Sequence, residues 1–551
     1  MLTRVRSMPF LVGLAVFAGS LALYVSTMPP TLAWGWKAVG VDGGEFLAAA
    51  KTLGIPHPPG YPTYMLLLKA FASVVRIGDY AFRGNLFSAV CAAGAVTLTY
   101  AACHRVVRAV WPGVSPKPLV AAAALGAATL AAGPLLWALA VVTEVYALNA
   151  LFSALLLYLA AKLCLRNEGE GRHPKRRQRM YMAAFGLALG VGLGNHLTLF
   201  AVAIPLVYWM VLTMGWKRWT WLWGVAAVLA GLCVYVYLPL RAAAYPPINW
   251  GQADSFDGVV WMISGRPYHD YVFGITGRPL ATRIVDWLTL VFNQLNPLGI
   301  FIGLVGLGFL RTAAPRLFEG LVAGVLLLMV YAVTYNTFDF QVLMIPMFVF
   351  FAVGVSAGLA RILVDWLSRV EQEPARRKKG QARLEQWVAK GRDAFLRQPA
   401  LVLGILAFAL LPCLTIGLNY NEQNLRGDRD ALELAERMME QLPNGSVVLA
   451  DSEVHVFPLW YMVYVEQQGR DVAVVSTRLL QFDWYRAQVQ REFPDAITGT
   501  LPVAMHEAAR AIVEQNVGGG NVYTTYPDTF LSQTYTLEGI GDVYKVGRKS
   551  E

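Results

Sequence analysis

Apolar residues recur in long runs separated by short polar segments. Eleven of these runs approach the roughly 20 residues that a helix needs to span a bilayer: 9–27, 86–103, 119–141, 147–165, 181–195, 197–214, 220–240, 295–310, 318–335, 341–360 and 400–418. A twelfth, Tyr61 to Val75, is shorter and follows a proline-rich turn. After about residue 420 the pattern changes: charge rises, polar turns such as Pro443-Asn-Gly445 appear, and no run is long enough to span. There, Ser446 to Ala450 and Asp471 to Ser476 predict short buried strands. Helical periodicity follows each of them, over Val456 to Gln467 and Trp484 to Phe493. No repeat with a period of 20–50 residues is evident. The pattern predicts a membrane part over 1–419 and a small α/β domain over 420–551.

Composition sharpens this picture. Of 551 residues, 56% are hydrophobic and 15% charged, where a soluble chain carries about 25% charged residues, so a polytopic membrane protein is expected. The five cysteines lie in or beside apolar runs with no CxxC spacing, which argues against a zinc or redox site. The net charge of +10 is spread through short segments between spans, as membrane orientation requires, and forms no basic face for nucleic acid. The N-terminal apolar stretch has no small-residue cleavage site and is expected to remain as the first helix.

Positive-inside bias fixes the expected orientation. With Arg4 and Arg6 in the cytoplasm and 61–75 lying on the membrane face rather than crossing, more than half of the 46 Lys and Arg fall in cytoplasmic segments. A crossing at 61–75 would export the runs His173–Arg179 and Arg376–Lys379. The expectation is therefore eleven spanning helices plus one interfacial helix, a cytoplasmic N-terminus and an extracytoplasmic C-terminal domain. In a bacterium this would be the plasma (inner) membrane.

Candidate chemistry gathers on the outer side of that topology. Asp42-Gly-Gly-Glu45 follows the first helix, and carboxylates at the edge of a membrane are costly unless used. The plain alternative is a capping box, with Asp42 at the N-cap and Glu45 in the first turn. Gly43 and Gly44 would allow a tight turn that brings backbone close to a substrate. His57-Pro-Pro-Gly-Tyr61-Pro62 reads as a rigid turn before the interfacial helix, in which His57 could contact an anion. Thr143-Glu144-Val-Tyr146 and Asn195-His196 lie between spans on the same side. Arg241 leaves a span there against the positive-inside trend, through snorkelling or phosphate capture. The loop beyond it, including Asn249, Trp250 and Tyr268-His-Asp-Tyr271, offers the amides and aromatics that line sugar sites. Tyr335-Asn-Thr-Phe-Asp339 is also outside. A scaffold protein has no reason to collect such groups on one face. A transporter or flippase would place ionisable groups nearer the midplane and use broken helices or repeats. A soluble nucleotide-sugar enzyme would need a phosphate loop that is not seen.

Asp42-Gly-Gly-Glu45-Phe46, His57-Pro-Pro-Gly-Tyr-Pro62, Thr143-Glu-Val-Tyr146 and Gly194-Asn-His196 together resemble the C-type (GT-C) polytopic glycosyltransferases. More narrowly, they resemble a domain-of-unknown-function family that includes the transmembrane protein O-mannosyltransferases. Phe457-Pro-Leu-Trp-Tyr461 looks like that family's C-terminal region. The resemblance implies a GT-C-like helical bundle and an inverting transfer of mannose or a related hexose from a polyprenyl-phosphate donor. The acceptor would be a protein hydroxyl or an envelope glycan or lipid. It implies Asp42 as general base with Glu45 as substitute, and Glu144 as a second acid. Arg241 and His57 become the donor-phosphate contacts, with His57 standing where some relatives carry lysine. Tyr61, Tyr146, Asn195, His196, Asn249 and Trp250 are the expected substrate contacts. Beyond the lipid-linked sugar as donor substrate the sequence names no cofactor, and it leaves room for a divalent metal. Membrane lipids are expected partners and nucleic acid is not.

Overall fold

A computed structural model of the chain describes residues 2–165, 174–216, 219–376 and 383–549. Among these, eight helices are long and apolar enough to cross a membrane: Ser7–Val25, Tyr80–Val110, Val145–Cys164, Thr220–Ala242, Gly277–Ala313, Pro315–Thr334, Phe340–Val370 and Pro399–Gln423. A ninth crossing is formed if α5 (Pro116–Ala132) and α6 (Pro134–Ala140) count as one span bent by 66°. The bend has a local cause. Gly133 precedes Pro134 and takes φ −64°, ψ 130°, the extended conformation that a following proline imposes. The two remaining expected spans are also helices, Pro174–Leu193 and Leu199–Met214. The first opens on a basic turn and the second has 16 residues, so neither meets the length and apolarity of a free-standing span. The basic runs that set the expected orientation lie partly outside the described residues.

The span expected at 295–310 is the second half of a longer helix. Gly277–Ala313 is continuous except at Asn296 (φ 48°, ψ 168°), directly before Pro297. The Asn296 side-chain oxygen accepts from Leu298 N–H and Gly299 N–H at 3.1 and 3.2 Å, recapping the helix where proline interrupts it. Phe340–Val370 is the central helix, almost wholly enclosed, whereas Ser7–Val25 and Pro399–Gln423 lie at the periphery. Glycines let the central helix approach its neighbour. A Cβ on Gly306 would strike the Gly354 carbonyl, and one on Gly358 the Ile302 carbonyl, the small-residue contact by which membrane helices associate.

Four early elements frame the site: α1 (Leu2–Val25), α2 (Gly43–Thr52), α3 (Pro62–Val74) and α4 (Tyr80–Val110). The 13-residue α3 is about 20 Å long at 1.5 Å per residue, short of the bilayer's hydrocarbon thickness. α2 packs against helix Glu453–Tyr461 of the C-terminal part. That part holds one mixed sheet of β1 (Val447–Ala450), β2 (Ala473–Ser476), β3 (Val522–Thr524), β4 (Tyr535–Gly539) and β5 (Tyr544–Arg548), in the order β2-β1-β3-β5-β4. β1 pairs parallel with β2 and β3, and β5 pairs antiparallel with β3 and β4. β1 and β2 match the two expected strands. β3 and the β4–β5 hairpin are not among the expected strands: β3 has only three residues, and the hairpin strands are largely exposed, a weaker signal than the fully buried β1 and β2.

Candidate active site

A cavity of about 600 Å³ opens at the end of the bundle where α2, the α2–α3 turn and the C-terminal part meet. Asp42, His57, Tyr61, Glu144, Tyr146, His196 and Trp250 all line it. Five interhelical segments therefore converge as the topology expects.

Asp42 occupies the N-cap position of α2, yet its side chain makes no capping hydrogen bond. Its carboxylate is free of the helix. The side chain is 36% exposed, and that exposure is to the cavity. Burial pushes its pKa up to about 7, opposed by His57 and aided by Glu453 and Glu45. Glu45, one turn on, is fully buried and committed to His57. Its Oε2 lies 2.5 Å from His57 Nδ1, and its Oε1 accepts from the His57 backbone N–H at 3.2 Å. The imidazole's other nitrogen, Nε2, is 3.1 Å from the Tyr61 hydroxyl and 3.8 Å from Asp42 Oδ2. Burial lowers the His57 pKa, but the Glu45 and Asp42 carboxylates and the hydrogen bond outweigh it and raise the value to about 9. At neutral pH the site therefore holds an imidazolium clamped by Glu45 and facing Asp42. Glu45 cannot substitute for Asp42 as an accessible base while it holds His57.

Gly43 and Gly44 open α2 and neither has a positive φ, so the turn leading into the helix, closed by Gly43 N–H to Gly40 O at 3.0 Å, makes no use of their conformational freedom. Gly44 serves close packing instead, because a Cβ would lie 2.5 Å from the Phe457 carbonyl oxygen. The turn that needs glycine is at Gly60 (φ +83°), next to Tyr61, which is itself left-handed at φ 42°. A non-glycine residue held there is strained, and the strain aims the ring at the cavity and the hydroxyl at His57.

Glu144 is 2% exposed at the N-cap of α7 (Val145–Cys164), where its side chain accepts from Val145 N–H at 3.3 Å. Burial, then Asp42 and Asp339, hold its pKa well above the usual carboxylate range. His196 Nδ1 accepts from Thr198 N–H at 3.2 Å. Burial and the charge on His57 lower its pKa to about 4, so the ring is neutral and carries its hydrogen on Nε2.

Three expected contacts sit elsewhere. Arg241 is not among the cavity-lining residues. Its Nε donates to Leu53 O at 2.6 Å and its Nη2 to Thr52 O at 3.3 Å, closing the C-terminal end of α2. Asn195 donates to Val145 O at 3.1 Å and so steadies the segment carrying Glu144 and Tyr146. Asn249 forms a parallel bridge with Ile55, flanked by Ile55 N–H to Ile248 O at 2.7 Å and Trp250 N–H to Ile55 O at 3.0 Å. It ties the Trp250 loop to the turn bearing His57. Asp339, Tyr268 and Tyr335 complete the wall. Glu453 and Arg478, from the C-terminal part, also line the cavity, and the sequence reading missed both. Among the described residues, no group of three or more His, Cys, Asp or Glu is arranged to hold a metal ion.

Residues 42–220 match the family described as Protein O-mannosyl-transferase TMEM260 N-terminal domain, and residues 431–538 match TMEM260-associated domain 2. The Protein O-mannosyl-transferase TMEM260 of Mus musculus is 23% identical over 521 residues, covering 89% of this chain and 67% of the mouse protein. That of Dictyostelium discoideum is 22% identical over 506 residues, covering 86% of this chain and 58% of its own length. The chain thus spans about three-fifths to two-thirds of these relatives. Among solved structures, ArnT from Cupriavidus metallidurans bound to undecaprenyl phosphate has a TM-score of 0.53 at 14% identity, covering 99% of this chain and 98% of ArnT. The Archaeoglobus fulgidus oligosaccharyltransferase complex with Zn and sulfate has a TM-score of 0.50 at 13% identity, covering 98% of this chain and 73% of the archaeal one. At such identities the structural likeness concerns the fold. The chain has the GT-C polytopic fold and, in both its membrane part and its C-terminal part, resembles the TMEM260 protein O-mannosyl-transferases.

Proposed function

We propose that the protein is an inverting membrane glycosyltransferase that moves mannose, or a related hexose, from a polyprenyl-phosphate carrier to a protein hydroxyl on the extracytoplasmic side. An envelope glycan or lipid is the second acceptor class. The observation that carries this reading is the state of Asp42. Its carboxylate is unspent on helix capping, opens into the cavity, and lies 3.8 Å from an imidazolium.

In this reading the Asp42 carboxylate takes the proton of the acceptor hydroxyl. The acceptor oxygen attacks the anomeric carbon, and the bond from that carbon to the phosphate oxygen breaks, its electron pair leaving with the lipid phosphate. One displacement inverts the anomeric centre. His57, held charged by Glu45, meets the negative charge that develops on the leaving group. Glu144 and the Nε2–H of His196 are hydrogen-bond partners for sugar hydroxyls, while Tyr61, Tyr146 and Trp250 offer ring faces to the sugar's C–H surface. The hydrocarbon tail stays in the bilayer as its head enters the cavity.

The test is incubation of purified protein with a panel of radiolabelled polyprenyl-phosphate sugars and a hydroxyl-bearing acceptor peptide. Wild-type protein is expected to move label from the lipid to the peptide, and Asp42→Asn to fail while keeping its fold. Undiminished transfer by Asp42→Asn rejects the assignment of the base. Indifference of wild-type protein to the whole panel rejects the donor class.

A further inference from the structure

The chemistry proposed so far leaves the C-terminal part idle, yet its sheet is aimed at the site. The chain leaves β1 for β2 on one side and returns as β3 on the other, so the strand order reverses at β1. In open parallel sheets, ligands bind outside the carboxyl ends of the strands at such a reversal. Here the residues just past those ends are Asp451 to Glu453 after β1, and Thr477 and Arg478 after β2. Glu453 and Arg478 line the same cavity as Asp42 and His57.

Charge shows what that edge supplies. The cavity carries four carboxyl groups, Asp42, Glu144, Asp339 and Glu453, and Arg478 is the one Lys or Arg lining it among the described residues. An anionic donor entering this wall meets cations only at His57 and Arg478. Arg478 is oriented without being consumed. Asp451 faces it edge to edge, Nε to Oδ1 and Nη2 to Oδ2 both at 3.3 Å, while the side chain remains 61% exposed. Arg241 contrasts with it, its guanidinium turned to main-chain carbonyls away from the cavity. A guanidinium fork suits a phosphoryl group, whose oxygens it can pair two at a time.

We propose that the C-terminal α/β part completes the donor site, with Arg478 at the carboxyl end of β2 binding the phosphoryl group of the lipid-linked sugar in the cavity that holds His57. This rests on the donor class proposed above. The carboxyl-end loops of the sheet are then a wall of the active site.

The test uses the full chain in lipid nanodiscs with three probes: undecaprenyl phosphate, undecaprenol and inorganic phosphate. Wild-type protein is expected to bind the phosphate lipid at least roughly tenfold more tightly than the alcohol, the scale of one charge-assisted hydrogen bond. Arg478→Gln should cut that preference about tenfold, to what His57 alone supplies, while leaving undecaprenol binding unchanged, and Arg478→Lys should fall between. Should Arg478→Gln fail to fold, arginine modification of wild-type protein by p-hydroxyphenylglyoxal, read peptide by peptide, decides. Undecaprenyl phosphate should protect Arg478, and undecaprenol and inorganic phosphate should not. Wild-type selectivity that survives in Arg478→Gln, or an unprotected Arg478, overturns the role of Arg478 and leaves the donor class standing. Absence of selectivity in wild-type protein overturns both. Equal protection by inorganic phosphate overturns the lipid-linked ligand.

Discussion

The two ends of α2 make an instructive pair. The helix has ten residues, and each end carries polar groups that are unusual at the edge of a membrane bundle. At the N-terminal end Asp42 caps nothing and opens to the cavity, while Glu45 is spent on keeping His57 charged. At the C-terminal end Arg241 donates to Thr52 O and Leu53 O, satisfying carbonyls that a helix end leaves without partners. Both ends hold ionisable side chains, but only one leaves capacity for a ligand. Charge near a membrane therefore points to chemistry when the side chain's hydrogen-bonding capacity remains unused.

The largest expected effect tests the open end. Asp42→Asn should lower kcat by about 10²–10⁴-fold, the range for loss of a positioned general base. It should not cost stability. Burial raises the Asp42 pKa from an unfolded 3.8 to about 7, so the folded state favours the protonated carboxyl. That contribution is fully present below about pH 4 and is lost as pH rises through about 7. Above pH 7, Asp42→Asn should therefore unfold at a higher temperature than wild type, and below pH 4 at the same temperature. A variant that is both inactive and less stable above pH 7 would make Asp42 a structural residue.

Next comes the pH profile of kcat/KM. The rate should rise as Asp42 ionises near pH 7 and fall as His57 deprotonates near pH 9. Glu45→Gln removes the first-named charge that holds His57 up, so its alkaline limb should move towards neutrality and kcat should drop about tenfold or more. An alkaline limb that stays near pH 9 in Glu45→Gln would detach His57 from Glu45.

Gly44→Ala probes the packing between the ends. Its Cβ would meet the Phe457 carbonyl, a backbone atom with nowhere to swing, so helix Glu453–Tyr461 must shift. The expected cost is about 1–3 kcal/mol of stability, read by thermal unfolding, with a loss of rate as α2 moves away from the C-terminal wall. A neutral Gly44→Ala would mean that this contact is loose.

The fold and half of the site were legible in the sequence for one physical reason: spans and inter-span motifs are local. Asp42, His57, Tyr61, Glu144, Tyr146, His196 and Trp250 each stand in a short polar segment whose side of the bundle follows from counting spans. What could not be read was how each side chain's hydrogen bonds are spent. Arg241 finds its carbonyls 188 and 189 positions away, and Asn195 reaches Val145 across 50. Neither partner leaves a mark in the local pattern, because every residue offers a main-chain carbonyl. Arg478 and Glu453 were hidden differently. They follow ordinary buried strands of a soluble-looking unit, and only the docking of helix Glu453–Tyr461 onto α2 turns that strand edge towards the cavity. An arginine two residues past the fully buried β2 was the one available signal.

The smallest effect on activity belongs to the closed end of α2. Arg241→Gln removes two donors from Leu53 O and Thr52 O, and replaces a cation at a helix C-terminus, where it interacts favourably with the helix dipole, by a neutral amide. The expected loss is about 1–2 kcal/mol of stability, the scale of hydrogen bonds to a charged group offset by partial replacement with water. The kcat/KM of the folded enzyme should stay within about threefold of wild type, since no cavity-lining group is touched. Selectivity for undecaprenyl phosphate over undecaprenol should also survive. The opposite result, a stable Arg241→Gln protein that no longer prefers the phosphate lipid, would make both ends of α2 functional. It would also mean that the guanidinium leaves its carbonyls when donor enters. Measuring unfolding and phosphate selectivity on the same preparation separates the two roles, because a helix cap moves the first and a phosphate ligand moves the second.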